Sequence, residues 1–324
     1  MLKYFKKASR QDRKRFWWTS TILLLALPWL IGATGGNYWV RVLDFALLYV
    51  VLALGLNVVI GFAGLLDLGY IAFYAVGAYS YALLASPHLT TQFPAIAGAF
   101  PEGLHFPLWG ALIISFGLAA LFGILLGFPT LKLRGDYLAI VTLGFGEIIR
   151  IFLNNLDRPV NLTNGPKGIG SIDPIQLFGI NLSKPVSIFG FQVPSLYLLF
   201  YFFLILAALV AIVCYRLERS RIGRAWVAIR EDEIAAEAMG INTRNMKLLA
   251  FAIGASFAGA AGVLFGAFQG FVSPESFTLW ESIVVLAMVV MGGMGHIPGV
   301  ILGAILLSIF PELLRSIAAP IQQF

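Results

Sequence analysis

Charged residues are scarce in this 324-residue chain, at 12% of the sequence, whereas soluble domains contain about 25%. Apolar residues make up 59%, against roughly 45–50% in soluble domains. This composition excludes a soluble globular protein and indicates an integral membrane protein. The basic residues occur in blocks beside apolar runs, so the net charge of +6 indicates membrane topology and not a nucleic-acid binding surface.

Cysteine and histidine are also rare, with one cysteine and three histidines. Cys214 has no second cysteine to pair with, which excludes an intrachain disulfide. His88, His105 and His296 show none of the spacings that are typical of metal ligands. The chain also contains no Gly-x-x-x-x-Gly-Lys-Ser/Thr, Gly-x-Ser-x-Gly or His-Glu-x-x-His motif. We therefore expect a non-catalytic protein with no catalytic, metal or cofactor-binding residues.

Nine apolar runs follow a basic N-terminal block at residues 1–15. This block holds seven Lys or Arg residues and one acid, which predicts a cytoplasmic N-terminus. The first run is interpreted as an uncleaved span, because further spans follow at once. The runs are approximately 16–33, 40–60, 65–85, 107–128, 136–153, 195–215, 248–271, 279–294 and 297–317. Each is near the ~20 residues that cross ~30 Å of hydrocarbon. Residues 16–324 are thus predicted to form a single all-α polytopic bundle of about 8–10 spans with discontinuous or re-entrant helices.

Loops that contain Lys and Arg alternate with loops that contain few or none, as this span count requires. Lys132 and Arg134 follow the fourth span, and seven Lys or Arg residues lie in segment 216–247 after the sixth. The loops after the third and seventh spans contain neither Lys nor Arg, and the long loop 154–194 contains only three such residues among Gly, Pro and Asn. Nine spans place the C-terminus outside, whereas a re-entrant segment 279–294 places it inside. Both arrangements stay open.

Segment 216–247 is polar and free of proline, in contrast to the apolar runs on either side. Two sets of apolar residues occur at i, i+4 and i+7 within it, which predicts one or two short amphipathic helices. They are Ile222, Trp226 and Ile229, and then Ile234, Ala238 and Ile241. Gly240 is placed where a helix C-terminus favours glycine.

Small and polar residues interrupt several apolar runs. The candidate pathway residues, chosen for polarity, are Asn57, Gly64, Asp67, Tyr70, Thr142, Glu147 and Asn164. A carboxylate at membrane depth costs about 2.5–3.5 kcal/mol, so Asp67 either faces protein or water or caps a helix end at the interface. Glu147 either pairs with Arg150 three residues later, or it lines a polar route or meets a partner subunit.

Glycines also suggest how the helices are arranged. Gly254, Ala258, Gly262 and Gly266 recur every fourth position, which predicts a seam of close helix packing. Two glycine-interrupted stretches, 56–77 and 291–304, lie in different halves of the chain. Paired broken helices of this kind are typical of a transport site near the membrane midplane.

Six blocks resemble one protein family in the same order. They are GFAGLLDLGYIAFYAVGAY at 61–79, LRGDYLAIVTLGFGEIIR at 133–150, NLTNGPKGIGSI at 161–172, AIREDEIAAEAMGIN at 228–242, KLLAFAIGASFAGAAGVLFG at 247–266 and MGGMGHIPGVILGA at 291–304. Over about residues 40–315 the chain resembles the M-type permease subunit of branched-chain amino acid ABC importers. The resemblance implies a permease domain in which 216–247 is a cytoplasmic coupling loop.

In that family the loop resembles the EAA motif, whose helix docks in a cleft of an ATP-binding subunit. Ala235, Ala236 and Gly240 match the motif, whereas Ile234 stands in place of its leading Glu, and Glu233 or Glu237 could substitute. The implied coupling segment is 228–241. Its candidate residues are Ile229, Arg230, Glu231, Asp232, Glu233, Ala235, Ala236, Glu237, Gly240 and Ile241.

The resemblance also implies partners and a location. These are a homologous H-type permease, two ATP-binding subunits that hydrolyse ATP, and an extracytoplasmic substrate-binding protein, all at the bacterial inner membrane. The chain itself would hold no cofactor, because ATP is bound by the partner subunits. Related permeases carry urea, short amides or aromatic amino acids, so the substrate stays open. The alternative is an ion-coupled secondary transporter, with Asp67 or Glu147 as its coupling acid.

Overall fold

A computed structural model of the chain describes residues 10–318, except 102, 131–132, 134, 178–179 and 189–190. Residues 1–9 of the basic N-terminal block and the loop residues Lys132 and Arg134 lie outside this described part. Its α-helices, in chain order, are α1 Arg10–Asn57, α2 Ile71–Leu84, α3 His88–Gln92, α4 Pro94–Ala99, α5 Leu108–Thr130, α6 Asp136–Asn155, α7 Ser195–Glu218, α8 Arg221–Glu231, α9 Glu233–Ala238, α10 Thr243–Gln269, α11 Leu279–Gly292 and α12 Ile297–Ala318. A π-helical turn, Val58–Phe62, continues α1.

Each of the nine predicted spans coincides with a helix, which confirms the all-α polytopic fold. Helix α1 covers the first two predicted spans. Its backbone is kinked between them at Gly36, where φ is 77°. Six helical stretches in the described residues are long and apolar enough to cross a membrane. They are Leu24–Phe62, Leu108–Thr130, Ser195–Glu218, Thr243–Gln269, Pro274–Gly292 and Ile297–Ile317. The two further predicted spans correspond to the short helix α2 and to α6.

The described loops gather at two opposite ends of the bundle. At the far end, formed by residues 85–101, 103–107, 156–175 and 270–278, the Asp173 amide donates to the Ala85 carbonyl at 2.7 Å, and Ile169 pairs with Val272. At the polar end, formed by residues 61–65, 133, 135, 229–247 and 293–296, the Gly295 amide donates to Asn57 Oδ1 at 2.8 Å. Loops predicted to lie on one side of the membrane therefore share one end of the bundle.

Helix α11 connects the two ends. It follows the far-end loop 270–278 and is followed by the polar-end turn 293–296. Helix α12 then returns, because Tyr38, close to the kink in α1, donates to Glu312 near the end of α12. The re-entrant alternative for 279–294 is therefore wrong, since such a segment would begin and finish at the same end.

Helix α10 packs at the centre of the bundle through its small residues. A Cβ on Gly77 of α2 would lie 2.1 Å from the Gly259 carbonyl oxygen, and one on Gly262 would lie 2.2 Å from the Tyr74 carbonyl oxygen. A Cβ on Gly254 would lie 2.4 Å from Val59 of the π-helical turn. The backbones of these elements are in direct contact, which confirms the predicted packing seam.

The predicted span 65–85 is helical only from Ile71 onward. Residues 63–70 run without helical structure into the bundle, beginning at Gly64, whose φ is +70°. A Cβ on Gly69 would lie 2.0 Å from the Thr142 carbonyl oxygen, so glycine is required for this close approach. The predicted start at 65 was therefore wrong by six residues, whereas the expectation of a discontinuous helix is confirmed.

Two small hairpins, which were not predicted, lie in the long loop 154–194. Strands β1 Gln176–Leu177 and β2 Ile180–Asn181 pair antiparallel, with Gln176 opposite Asn181. Strands β3 Val186–Ile188 and β4 Phe191–Val193 pair in the same way, with Ser187 opposite Gln192. Strands of two or three residues are too short to give the alternating pattern that identifies a strand in sequence.

Candidate functional site

Three caps divide segment 216–247 into separate helices. Ser220 begins α8 by accepting from the Gly223 amide at 3.1 Å. Asp232 follows the end of α8 and caps α9, because its Oδ1 accepts from the amides of Ile234 and Ala235 at 2.9 and 3.0 Å. Asn242 begins α10 in the same manner. The segment is therefore an ordered helical structure at the polar end.

The first predicted apolar stripe anchors α8 to the bundle. Trp226 is 0% exposed, Ile229 is 5% exposed, and Ile222 is partly buried. The Trp226 indole Nε1 donates to the Met246 carbonyl at 2.8 Å, which joins α8 to α10. The amphipathic prediction for α8 is confirmed.

The second predicted stripe was wrong. Ile234 is 67% exposed and Ala238 is exposed, whereas Ala236 is 4% exposed. The break at Asp232 starts a new helix with a different buried face, so the spacing that fits α8 does not continue. Gly240 does end α9 as predicted, with a φ of +83° and a bond from the Ile241 amide to the Ala236 carbonyl.

The candidate coupling residues divide into an exposed set and an inward set. Glu231, Asp232, Ala235, Glu237 and Gly240 are exposed. Ile229 and Ala236 are buried, Ile241 is partly buried, and Glu233 pairs with the buried Lys247 at 2.5 Å. Arg230 belongs to both sets, because the residue is exposed while its guanidinium donates to the Gly61 carbonyl at the polar end. The inward set holds the segment in place and the exposed set faces outward.

Two exposed apolar side chains lie among these acids. Met239 is 83% exposed and Ile234 is 67% exposed. Together with the exposed Glu231, Asp232 and Glu237 they form what we call the acidic apolar face of α8 and α9. Met239 was not among the sequence candidates, since an amphipathic pattern does not show which apolar residues stay uncovered. Such a surface suits a partner that offers an apolar pocket with basic residues around it.

Two of the candidate pathway residues meet inside the bundle. Asp67 is 1% exposed, and its Oδ1 accepts from the Gly69 amide at 2.9 Å. Thr142 Oγ1 accepts from the Leu68 amide at 3.0 Å. In the described part of the chain, Asp67 Oδ2 has no hydrogen-bond partner. Asp67 caps no helix, so the interfacial-cap interpretation is wrong, and the carboxylate faces protein.

The other candidate pathway residues lie elsewhere. Asn57 and Gly64 are at the polar end, and Tyr70 donates to the Gly254 carbonyl at 3.1 Å. Glu147 forms an ion pair with Arg150 at 2.9 Å, which is one of the interpretations of this residue from the sequence. Asn164 is in the long loop near the far end and donates to the Gly168 carbonyl at 2.7 Å.

Sequence reasoning missed a junction between the two short helices. The Ile71 amide at the start of α2 donates to Ser282 Oγ in the first turn of α11 at 3.3 Å. The neighbouring Glu281 accepts from the Tyr49 hydroxyl at 2.9 Å. Helix N-termini carry a partial positive charge, so two positive helix ends occur in this part of the bundle, beside the partly buried carboxylate of Glu281. Ser282 gave no signal because one serine in an apolar run is common in membrane helices.

Comparisons with known proteins agree on one family. The family model described as "Branched-chain amino acid transport system / permease component" matches residues 38–322. The chain is 47% identical to the high-affinity branched-chain amino acid transport system permease protein LivM of Escherichia coli K12, over 91% of this chain and 67% of that protein. It is 27% identical to LivH of Salmonella typhimurium, over 81% of this chain and 80% of that protein. No solved structure matches.

Proposed function

Because the chain belongs to the permease components of branched-chain amino acid transport systems, we propose that it forms half of an inward pathway for these amino acids. We further propose that segment 216–247 couples this pathway to ATP-binding subunits. A homologous H-type permease would form the other half, which is supported by the similarity of this chain to LivH as well as LivM.

The acidic apolar face of α8 and α9 is the observation that supports coupling. Met239 and Ile234 are exposed on a polar segment outside the apolar spans, where uncovered apolar side chains mark a protein contact. Glu233 and Lys247 join α9 to α10, and Trp226 joins α8 to α10. A force applied to this face would therefore reach the central helix directly. ATP would be bound and hydrolysed by the partner subunits.

The junction of α2 and α11 supports a pathway for a zwitterion. A free amino acid carries one carboxylate and one ammonium group. Positive helix ends suit the carboxylate, and the buried oxygen Oδ2 of Asp67 suits the ammonium. The branched side chain would lie against the surrounding apolar helices. Ion coupling through Asp67 or Glu147 is disfavoured by the family of the chain and, for Glu147, by its pairing with Arg150.

We assign the polar end to the cytoplasm of a bacterium, because short cytoplasmic loops are rich in Lys and Arg. The far end would then face the binding protein that delivers the substrate. Side-chain selection would be shared between that binding protein and the membrane pathway.

Copurification tests the coupling role. In Met239→Glu, a charge replaces the most exposed apolar side chain of the face, and we expect the affinity for the ATP-binding subunits to fall by at least about tenfold. Met239→Leu retains the apolar surface and should copurify these subunits as the unchanged chain does. Gly240→Arg should abolish uptake while the chain still inserts in the membrane.

Normal copurification and uptake in both Met239→Glu and Gly240→Arg would contradict the coupling role. The substrate is tested separately by uptake of labelled leucine, isoleucine, valine, phenylalanine and urea with all partners present. We expect uptake of the three branched-chain amino acids to dominate. A preference for urea would contradict the proposed substrate class without affecting the coupling test.

A further inference from the structure

Arg230 departs from the other charged residues of α8 in the direction of its side chain. The residue is exposed, yet its Nη1 donates to the Gly61 carbonyl oxygen in the π-helical turn. The same nitrogen would lie 3.1 Å from a Cβ on Gly295, in the turn between α11 and α12. The guanidinium of Arg230 therefore lies between the two glycine-broken segments at the polar end.

Glycines make the space that this side chain occupies. A Cβ on Gly64 would lie 2.5 Å from Arg230 Cγ, and a Cβ on Gly61 would lie 2.5 Å from the Gly295 amide nitrogen. Asn57 Oδ1 accepts from that amide at 2.8 Å. The two broken segments are thus joined to each other through Asn57 and to α8 through Arg230.

The Gly61 carbonyl is available for this bond because the three amides that follow the π-helical turn donate to other carbonyls. The amides of Ala63, Gly64 and Leu65 donate to the carbonyls of Val58, Ile60 and Val59. The Gly61 carbonyl accepts from the guanidinium instead. A charged donor makes a stronger bond to a carbonyl than a neutral donor does, so this contact resists separation of α8 from the turn.

We propose that Arg230 is a positioning residue that transmits movement of α8 and α9 to the two broken segments, 58–70 and 293–296. Displacement of α8 pulls segment 58–70 through the bond to Gly61, and it pulls segment 293–296 through the bond of Asn57 to Gly295. This inference rests on the proposed coupling function. Arg230 is thereby assigned an internal role, in contrast to a direct contact with an ATP-binding subunit.

The ratio of amino acid taken up to ATP hydrolysed tests the proposal in the complete complex in proteoliposomes. We expect Arg230→Ala to copurify the ATP-binding subunits and to lower this ratio by about tenfold, as for loss of one charged hydrogen bond. Arg230→Lys keeps the charge and should recover part of the ratio. The matched control is Arg224→Ala, because Arg224 is also an exposed arginine of α8, but it donates to the nearby Arg219 carbonyl and not to a broken segment.

An unchanged ratio in Arg230→Ala would overturn the proposal. This includes the case in which uptake and hydrolysis fall in proportion, which indicates a purely structural role. Amide hydrogen exchange is a second test of the proposal, and it can be measured without the ATP-binding subunits. Arg230→Ala should speed amide exchange at 58–65 and 293–296, and unchanged exchange there would overturn the proposed link.

These outcomes separate this inference from the proposed function. If the unchanged chain fails to copurify ATP-binding subunits, the coupling function fails, and the exchange test still decides whether Arg230 links the segments. If copurification succeeds and the ratio in Arg230→Ala is unchanged, only the role of Arg230 fails.

Discussion

Trp226 is the single side chain that most firmly holds the polar segment against the bundle. It is fully buried, and its indole nitrogen donates to the Met246 carbonyl. We expect Trp226→Ala to destabilise the packing of α8 by about 3–5 kcal/mol. Limited proteolysis should then cleave residues 219–243 faster. Val227→Ala is the neighbouring control, because Val227 is 43% exposed, and its effect should stay within about 0.5 kcal/mol. Equal protection of both variants would contradict this role.

At this scale the sequence predicted the buried face of α8 but not the direction of Arg230. Trp226 and Ile229 are identified by apolar spacing alone, since burial of large apolar residues follows the helical period. Arg230 interrupts that spacing, and the residue is exposed, as the same rule expects. The rule does not predict that its guanidinium contacts the Gly61 carbonyl in the space beside Gly64 and Gly295. Contacts between distant segments of this kind leave no local pattern.

The packing of α2 on α10 can be tested at the scale of whole helices. Gly77 has the Gly259 carbonyl directly opposite, so Gly77→Ala must separate the two helices. We expect the cost of this overpacking to be about 1–3 kcal/mol, measured as a lower melting temperature in detergent.

Gly117→Ala is the matched control, because a Cβ there meets nothing within 4 Å. Alanine is also the better helix former, so this variant should melt at the same or a higher temperature. Equal melting temperatures for Gly77→Ala and Gly117→Ala would contradict the close packing of α2 on α10.

Hydropathy predicted the eight helices that lie in the apolar runs, misjudged the start of one of them, and did not indicate the short helices α3 and α4. The helices at 108–130, 195–218 and 297–318 agree with the predicted spans to within a few residues. Residues 63–70 have the same apolar composition, but Gly64 and Gly69 keep the backbone out of a helix. Hydropathy reports burial in an apolar medium and not backbone conformation. The broken segment was therefore visible only through its glycines.

The arrangement of both ends is a property of the whole molecule and is open to chemical labelling. The native Cys214 is 0% exposed, so the unchanged chain should not react with a membrane-impermeant maleimide. Ser183→Cys introduces an exposed thiol between the two hairpins of the long loop, and Met239→Cys introduces one at the polar end. We expect the first variant to react in intact cells and the second only in inverted vesicles. Reaction of both from the same side would contradict the two-ended arrangement.

The meeting of α2 and α11 has an electrical consequence for the membrane. A helix of 14 residues rises about 21 Å, whereas the hydrocarbon layer is about 30 Å thick. The Ile71 amide at the start of α2 donates to Ser282 in the first turn of α11, so the positive ends of both short helices lie together inside the bundle. In the pathway that we propose, these ends would repel protons and sodium ions. A zwitterion without net charge would not be repelled in this way, so the voltage across the membrane would be retained while it crosses.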